Sequence, residues 1–344
     1  MENKLLTGVA YHGNRILRHV EEDMLDIVNH NMNLVVHMFS HNDWDRHLGV
    51  MKDIVDISKK AGLEVWIDNW GLAGAPGDKS FYLEYHPDAH QVFNDGSVSP
   101  VRVCLNHPGF VQFTKDWLDA VKGFGGETIF WDEPSFASQK TESGEALFAC
   151  CCENCKRLFR ERYGHEMPTV MTDEIKAFRS WSLLRYFEQV TEYAASLGMK
   201  NITCVMPHTI EECTELLQLP HLDNFGTDPY WGPRRHPERD VYDFVYSGTK
   251  NILDLTAKYG KESHLWVQAY DFPAGSEDDL ILATDAAYDA GARTIIDWSF
   301  RGGESNSYKA DRCDMLWRVM GEAMGRIRAR HFDAIRAEKL KKYQ

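Results

Sequence analysis

Two adjacent carboxylates close an apolar run in the segment FWDEPS, residues 130–135. The run reads as a buried strand that Pro134 ends, because proline has no backbone N–H to donate to a ladder. Cleavage of a glycosidic bond needs one carboxylic acid to protonate the leaving oxygen and a second carboxylate as nucleophile or base. Successive side chains on a strand point to opposite faces. We therefore predict Glu133 as the general acid and Asp132 as the residue that orients it.

The second carboxylate of such a pair must come from another part of the chain. Asp228, in the segment GTDPYW, is the first candidate, followed by Asp271 and then by Asp297. An alternative interpretation of the doublet is the start of a helix, with Asp132 as its cap and Glu133 in its first turn. The two interpretations differ in whether a helix begins directly after the apolar run.

Eight runs of β-branched and aromatic residues alternate with helical patterns along the chain. Each run is apolar for nearly its full length, as is typical of parallel strands buried on both faces. The runs lie at residues 5–13, 33–41, 63–71, 127–134, 201–208, 224–232, 264–272 and 292–302. Eight strands, each followed by a helix, predict a single α/β domain over residues 1–344, a (β/α)8 TIM barrel. An open doubly wound sheet is the alternative, although no glycine-rich phosphate loop follows the first run.

Two long segments interrupt this alternation and are predicted as insertions after strands 3 and 4. They cover residues 71–126 and 134–199, and both follow the carboxyl ends of strands, where barrels place their sites. Residues 322–344 are predicted as a basic amphipathic C-terminal helix. This helix closes the barrel or meets a partner subunit, which leaves a homo-oligomer open.

Polar and aromatic residues stand at the ends of all eight predicted strands, which favours a polar pocket. Indole and phenol rings stack on apolar sugar faces, and amides, imidazoles and carboxylates bond hydroxyl groups. A phosphate site would need clustered basic residues or a glycine nest. We therefore predict a small neutral carbohydrate as ligand. Its predicted contacts are His12, His37, Asn69, His208, Tyr230, Trp231, Gln268, Asp271, Asp297, Trp298 and Arg301.

Composition excludes several other classes of function. The net charge of −14 over 344 residues argues against nucleic acid and against an anionic membrane surface as partners. The first residues, MENKLLTGVAYHGN, lack the basic start and apolar stretch of a signal peptide. We expect a cytoplasmic protein without an organic cofactor.

Cysteines cluster in the segment ACCCENC, which holds Cys150, Cys151, Cys152 and Cys155 among eight cysteines in the chain. In a reducing compartment these residues are thiols or metal ligands. Soft thiolate ligands in a tetrahedral set would favour a structural metal site. A set of buried free thiols is the alternative.

The cysteine pattern resembles that of the zinc-bearing β-galactosidases of the large barrel glycosidase clan. Cys104, in the segment CLNHP, matches an upstream ligand of that family, and Cys150, Cys152 and Cys155 match its later triplet. The family's following Phe and Tyr-Gly are matched at residues 159, 163 and 164. The resemblance implies one structural zinc on these four cysteines, with Cys151 outside the set.

The resemblance also implies an acid/base glutamate at the end of strand 4, which Glu133 matches. In the family an Asn precedes this glutamate, and Asp132 stands in its place. The family's nucleophile is a Glu on strand 7, where this chain has Gln268. The resemblance therefore supports a glycosidase but supplies no nucleophile.

Two other functions stay open on the same barrel. One is a divalent-metal-dependent sugar isomerase, epimerase or lyase, with His12, His37, Asp228 and Asp297 as ligands. The other is a sugar-binding barrel without catalysis, which the missing glutamate on strand 7 suggests.

Overall fold

A computed structural model describes residues 4–71 and 77–341. Residues 72–76 of the first predicted insertion and 342–344 of the predicted C-terminal helix lie outside this range. The strands in the described range are β1 (Leu6–Tyr11), β2 (Leu34–Met38), β3 (Glu64–Asp68), β4 (His90–Val92), β5 (Val98–Val103), β6 (Thr128–Asp132), β7 (Ser138–Lys140), β8 (Ala146–Phe148), β9 (Lys200–Val205), β10 (Asn224–Thr227), β11 (Leu265–Gln268) and β12 (Thr294–Trp298).

Eight strands form a closed barrel in the order β1-β12-β11-β10-β9-β6-β3-β2. The ladders of β1 with β2 and β12, of β6 with β9, and of β11 with its two neighbours are parallel. The predicted (β/α)8 barrel is therefore confirmed, and the open sheet is excluded because both edges are paired. The long apolar runs explain this result, since each barrel strand is buried along almost its whole length.

Helices alternate with the barrel strands. They are α1 (Leu17–Asn29), α2 (His41–Lys60), α3 (Tyr82–Tyr85), α4 (Phe110–Gly123), α5 (Glu153–Tyr163), α6 (Asp173–Ser196), α7 (Ile210–Cys213), α8 (Val241–Ala257), α9 (Asp279–Ala290) and α10 (Cys313–Lys341). Their ends follow local chemistry: Thr172 Oγ1 caps α6 by accepting from the N–H of Ile175, and α5 ends at Gly164 with φ +79°. The C-terminal helix begins at Cys313, earlier than residue 322. No helix in the described ranges has the length and apolar character that crossing a bilayer requires.

The chain divides into two compact units. One unit comprises residues 39–48 and 68–223, with β6, β9 and the segments 71–126 and 134–199. The other contains β1, β2, β10, β11, β12 and the C-terminal helix. Inside this second unit the strands approach closely: a Cβ at Gly226 would lie 2.4 Å from the ring of His264, so only glycine fits there.

Two small antiparallel sheets lie in the segments after β3 and β6. β4 pairs with β5, β7 pairs with β8, and a bridge between Phe93 and Ala149 joins the two segments. The buried guanidinium of Arg179 on α6 forms hydrogen bonds with the second segment. It donates to Glu212 at 3.0 and 3.2 Å and to the backbone carbonyl of Phe136 at 3.2 Å. These contacts anchor the chain that follows β6.

Candidate functional site

Three carboxylates stand at the carboxyl ends of the neighbouring strands β3 and β6, near enough for their charges to influence one another's pKa. Asp68 is the last residue of β3, Asp132 is the last of β6, and Glu133 follows it directly. Asp68 is fully buried, Asp132 is 7% exposed, and Glu133 is partly exposed. Asp68 was not predicted from the sequence, although it ends the apolar run VWID. The structure therefore adds a third carboxyl group to the predicted pair.

Burial raises the pKa of Asp68 and of Asp132 well above the ordinary range of an aspartate. The nearby charges of Asp68 and Glu133 raise the pKa of Asp132 further, and Glu133 acts on Asp68 in the same direction. Backbone N–H groups oppose this effect, from Trp70 at Asp68 and from Gly71 at Asp132. Like charges in a desolvated cluster cannot all ionise together. Burial and like charges therefore favour the protonated forms of Asp68 and Asp132.

The backbone at this cluster is held in an unusual conformation. Trp70 has φ +47° and Glu133 has φ +39°, in the left-handed region that side chains other than glycine rarely adopt. The N–H of Trp70 donates to Asp68 Oδ1 at 2.6 Å, whereas Asp68 Oδ2 is buried without a hydrogen-bond partner. Such conformations concentrate at functional sites. Because of its positive φ, Glu133 does not continue the alternation of side chains between the two faces of β6.

The segment after β6 is not helical, because β6 ends at Asp132 and the next element is β7. The doublet is therefore the end of a strand and not the start of a helix. Trp131, two residues before Glu133, faces α6. Its ring packs on Phe187 of α6 at 5.8 Å, and its Nε1 donates to Asn201 at 3.0 Å.

Arg102 brings a positive charge to Glu133 from β5, in the segment after β3. Burial lowers the pKa of Arg102, and the charge of Glu133 opposes that change. The guanidinium donates to the carbonyl and the hydroxyl of Ser135, each at 3.2 Å. Sequence reasoning missed Arg102, because its position depends on the folding of a remote hairpin.

Asn69 and His208, in the same unit, have contrasting surroundings. Asn69 is 3% exposed, and neither atom of its amide group has a hydrogen-bond partner. An amide in that condition is available to a ligand with hydroxyl groups. His208 lies in the turn after β9, and its side chain is exposed to solvent and not buried at the end of the strand.

In the other unit, aromatic rings cluster around Trp298 at the end of β12. Its ring lies 4.6 Å from that of His12 and 5.7 Å from that of Trp266. Burial, and then the charge of Arg15, lowers the pKa of His12 to about 4. His12 is therefore neutral at physiological pH, as a hydrogen-bonding group for a neutral ligand requires.

The carboxyl ends of β10 and β11 and the loops after them carry the predicted second carboxylate, Asp228, and three predicted contacts, Tyr230, Trp231 and Gln268. Asp228 and Trp231 are buried, Trp231 packs on Phe272 at 5.6 Å, and its Nε1 has no hydrogen-bond partner. Tyr230 lies edge-on to Tyr270 at 5.6 Å. Gln268 links these two loops and is satisfied within the protein. Its Oε1 accepts from Gly232 N at 2.9 Å, and its Nε2 donates to the carbonyl of Tyr270 at 3.1 Å.

Two predicted contacts in this unit are engaged by other charged groups. Asp271 has φ +54° and pairs with Arg234 at 2.7 Å. Arg301, with φ +49°, pairs with Glu304 at 2.6 Å and also with Asp314. Each of the two side chains therefore has a charged partner within the protein.

His37 and Asp297 point toward the helices. His37 is fully buried, and its Nε2 lies 2.8 Å from the hydroxyl of Ser58 on α2. Asp297 precedes Trp298 on β12, so alternation directs it to the opposite face. Asp297 is fully buried with no partner for either carboxylate oxygen, and burial raises its pKa well above the ordinary range. Both residues belong to the layer between strands and helices.

The ligand set suspected for a catalytic metal does not assemble. The structure describes all four residues of this set, His12, His37, Asp228 and Asp297. Their possible ligand atoms do not all lie within 4.8 Å of one another. The described residues contain two such groups. One is the predicted cysteine set, and the other consists of two histidines and an aspartate.

The cysteine set is Cys104, Cys150, Cys152 and Cys155, all buried. The Sγ of Cys104 lies 3.4 Å from that of Cys155 and 3.6 Å from that of Cys152. Hydrogen bonds from the thiols of Cys104, Cys150 and Cys155 lower the pKa of Cys152 strongly. Four soft ligands at this spacing fit a metal ion with tetrahedral coordination. The set joins the segment after β3 to the segment after β6.

Comparison with known proteins shows the fold. No family model matches the sequence, and no curated protein matches it. The catalytic domain of a β-amylase from Paenibacillus polymyxa superposes with a TM-score of 0.63 at 10% identity, covering 86% of this chain and 92% of that one. An endo-1,4-β-mannanase from Rhizomucor miehei gives 0.63 at 10% identity over 95% of both chains. A D-psicose 3-epimerase from Clostridium cellulolyticum H10 gives 0.52 at 11% identity, covering 94% of this chain and 99% of that one.

Proposed function

We propose that this chain is a glycoside hydrolase that cleaves a small, neutral sugar or glycoside. The observation that supports it is the carboxyl cluster of Asp68, Asp132 and Glu133, in which burial and like charges raise the pKa of both aspartates. A general acid must carry a proton at the working pH, and such a cluster can supply it. Sugar-hydrolysing enzymes among the structures with this fold are consistent with the proposal.

In the proposed mechanism Glu133 protonates the glycosidic oxygen as the bond to the anomeric carbon breaks. Asp132 orients Glu133. Asp132 and the neighbouring Asp68 also form what we call the proton reserve: protonated carboxyl groups that can return a proton to Glu133 after each turnover. Asp228, buried after β10, is proposed as the second carboxylate, acting as nucleophile or as base toward water. Arg102 orients the Glu133 carboxylate between turnovers.

The sugar subsite is proposed to bind the substrate in two ways. Its hydroxyl groups would be hydrogen-bonded by Asn69, Trp231 and His12, and its apolar faces would stack on Trp298 and Tyr230.

The test compares Glu133→Gln and Asp228→Asn with the parent on nitrophenyl glycosides and natural disaccharides. Loss of a general acid is expected to lower kcat by roughly 10²–10⁴-fold on a disaccharide. Nitrophenolate leaves without protonation, so the loss for Glu133→Gln should be smaller on aryl glycosides. Asp228→Asn should reduce turnover of both substrate types alike. Glu153→Gln is the control, because its side chain is 89% exposed on α5.

Two outcomes would decide against this function. If Glu133→Gln hydrolyses disaccharides as fast as the parent, Glu133 is not the acid. If the parent binds sugars but turns over none of the panel, the chain is a sugar-binding barrel.

A metal-dependent sugar epimerase is the second candidate, because D-psicose 3-epimerase shares the fold; its metal would have to bind residues other than the set His12, His37, Asp228 and Asp297. Dialysis against a chelator separates the two enzymes. An epimerase would lose activity and regain it with Mn²⁺ or Co²⁺ while the cysteine set keeps its metal. The hydrolase proposed above should retain its turnover under the same treatment.

We also propose that the four cysteines hold a structural zinc, the metal to which four thiolates and a tetrahedral shell are suited. The zinc would have no open position for substrate and would take no part in the chemistry. All eight cysteines are free of disulfides, which supports a cytoplasmic location.

A further inference from the structure

A second group of metal-ligand residues lies in the segment after β3, outside the carboxyl cluster and the cysteine set. It consists of His86, Asp88 and His107, whose ligand atoms lie within 4.8 Å of one another. His107 is 8% exposed, His86 is partly exposed, and Asp88 is exposed. The group therefore combines one buried imidazole with an open side toward solvent.

The two imidazoles are held in place by one tyrosine. The hydroxyl of Tyr82 lies 2.8 Å from Nδ1 of His107, and the ring of Tyr82 stacks on that of His86 at 4.2 Å. Tyr82 is itself 3% exposed and packs on Phe110 at 5.4 Å and on Phe113 at 4.8 Å. Both histidines thus rest against a fixed aromatic wall.

Engagement of Nδ1 leaves Nε2 as the ligand atom of His107. This nitrogen faces Asp88, with 3.4 Å between Nε2 and Oδ2. A histidine that binds a metal through one nitrogen commonly bonds its other nitrogen to a fixed acceptor, which sets the ring's orientation. The hydroxyl of Tyr82 stands beside the Nδ1 of His107 in that place, and the N–H of Gly109 lies 3.4 Å from the same nitrogen. His107 is therefore placed as a metal ligand would be, with Tyr82 as the residue that supports its ring.

We propose that His86, Asp88 and His107 bind a divalent transition-metal ion, distinct from the metal of the cysteine set. Two imidazoles and one carboxylate suit Zn²⁺, Co²⁺ or Ni²⁺ and disfavour Mg²⁺ and Ca²⁺, which take oxygen ligands. Three protein ligands leave at least one coordination position for water on the exposed side.

The proposed site is physically connected to the cysteine set through a short stretch of chain. The N–H of His107 donates to the carbonyl of Cys104 at 2.9 Å. Asn106, the residue before it, donates to the Sγ of Cys155 at 3.4 Å and to the hydroxyl of Ser182 at 2.9 Å. A metal on the cysteine set would therefore fix the backbone that carries His107. The cysteine set should fill first, and the histidine site second.

The experiment titrates metal-free, reduced full-length chain with Co²⁺ and follows its absorption spectrum. The first equivalent is expected to give intense sulfur-to-cobalt charge-transfer bands. The second should add weaker visible bands without further charge transfer. His86→Ala and Asp88→Asn should abolish the second phase and keep the first. Tyr82→Phe should weaken the second site by roughly 10–100-fold, because it removes the supporting hydroxyl.

His90→Ala is the matched control, since His90 lies in the same segment and its Nδ1 contacts the carbonyl of Ser99 at 2.7 Å. This variant should keep both phases. The proposal is overturned if the parent takes up one equivalent only. It is also overturned if the second phase survives in both His86→Ala and Asp88→Asn. Because the readout is metal binding, the result is independent of whether the chain hydrolyses glycosides.

Discussion

At the scale of single residues, Asp68 and Asp132 lower the stability of the fold that contains them. Burial raises the pKa of both, so the native chain keeps protons that the unfolded chain releases above about pH 4. When the native state binds more protons, stability falls as the pH rises toward the folded pKa. Residues that destabilise a fold in this way are typical of functional sites.

Replacing either aspartate by asparagine should therefore raise Tm at neutral pH and abolish turnover. Asparagine does not ionise, so the loss of stability above about pH 4 disappears. Each tenfold difference in proton affinity corresponds to about 1.4 kcal/mol of stability. Thermal unfolding at about pH 4.5 and about pH 8 measures the effect, which should grow with pH.

Asp45→Asn is the control, because its side chain is 64% exposed, and it should leave Tm unchanged at both pH values. A lower Tm for Asp68→Asn and Asp132→Asn at both pH values would contradict the argument. It would show that the two side chains stabilise the fold as carboxylates.

At the scale of elements, the segments after β3 and β6 are joined by the cysteine set. Cys104 follows β5, and the other three ligands precede or begin α5. Because Arg102 also comes from β5, the same connection positions the cation beside Glu133. A metal bound by this set would therefore stabilise the position of Arg102 beside Glu133 without itself touching the candidate site.

Cys152→Ser should release the metal and lower Tm by on the order of 5 °C or more. Limited proteolysis should then cut within residues 77–126 or 134–172, where it does not cut the parent. Cys151→Ser is a matched control, since Cys151 is adjacent and buried but outside the set. Equal losses of metal in the two variants would show that the set is assigned incorrectly.

The barrel strands are predictable from the sequence, because each is a continuous apolar run bounded by turn residues. The carboxyl cluster is predictable only in part. Asp132 and Glu133 end their run visibly, whereas Asp68 looks like one of several polar residues at the end of β3. Arg102 and the group around His107 depend on the antiparallel pairing of β4 with β5 and on aromatic packing. No local pattern encodes those contacts.

His37 and Arg301 illustrate a second limit of sequence reasoning. Both were predicted at strand ends, but their partners lie on the helices and turns that follow: Ser58 on α2 for His37, and Glu304 and Asp314 after β12 for Arg301. A strand-end position restricts a side chain to one of two faces. Which face carries a ligand depends on the helix that packs there.

At the scale of the whole molecule, two sets of buried groups act on stability in opposite directions. Burial lowers the pKa of His37, His41 and His264 to about 3 and that of His12 to about 4. Unfolded histidines take up protons below about pH 6.5, so these four groups reduce stability as the pH falls through that value. The three buried aspartates 68, 132 and 297 have raised pKa values and reduce stability as the pH rises.

The balance of the two sets predicts a maximum of Tm near pH 6.5. Between about pH 4 and 6.5 the four histidines bind more protons in the unfolded chain than in the native one. The three aspartates bind more protons in the native chain than in the unfolded one. Because the histidines outnumber the aspartates, their effect prevails and stability should rise with pH in this interval. Above about pH 6.5 the histidines are neutral in both states, and the aspartates alone make stability fall. Thermal unfolding from about pH 4.5 to 9 measures both limbs.

Variants assign each limb of this curve to its groups. His37→Gln removes one group that the unfolded chain protonates, so the rise below about pH 6.5 should flatten whatever the absolute Tm of the variant. Asp132→Asn should flatten the decline above that pH and leave a steeper acid limb. If stability instead rises steadily to about pH 9 in the parent, the aspartates are ionised in the native state. The proton reserve proposed for Glu133 would then not exist, so this measurement of the whole fold also tests the chemistry of its site.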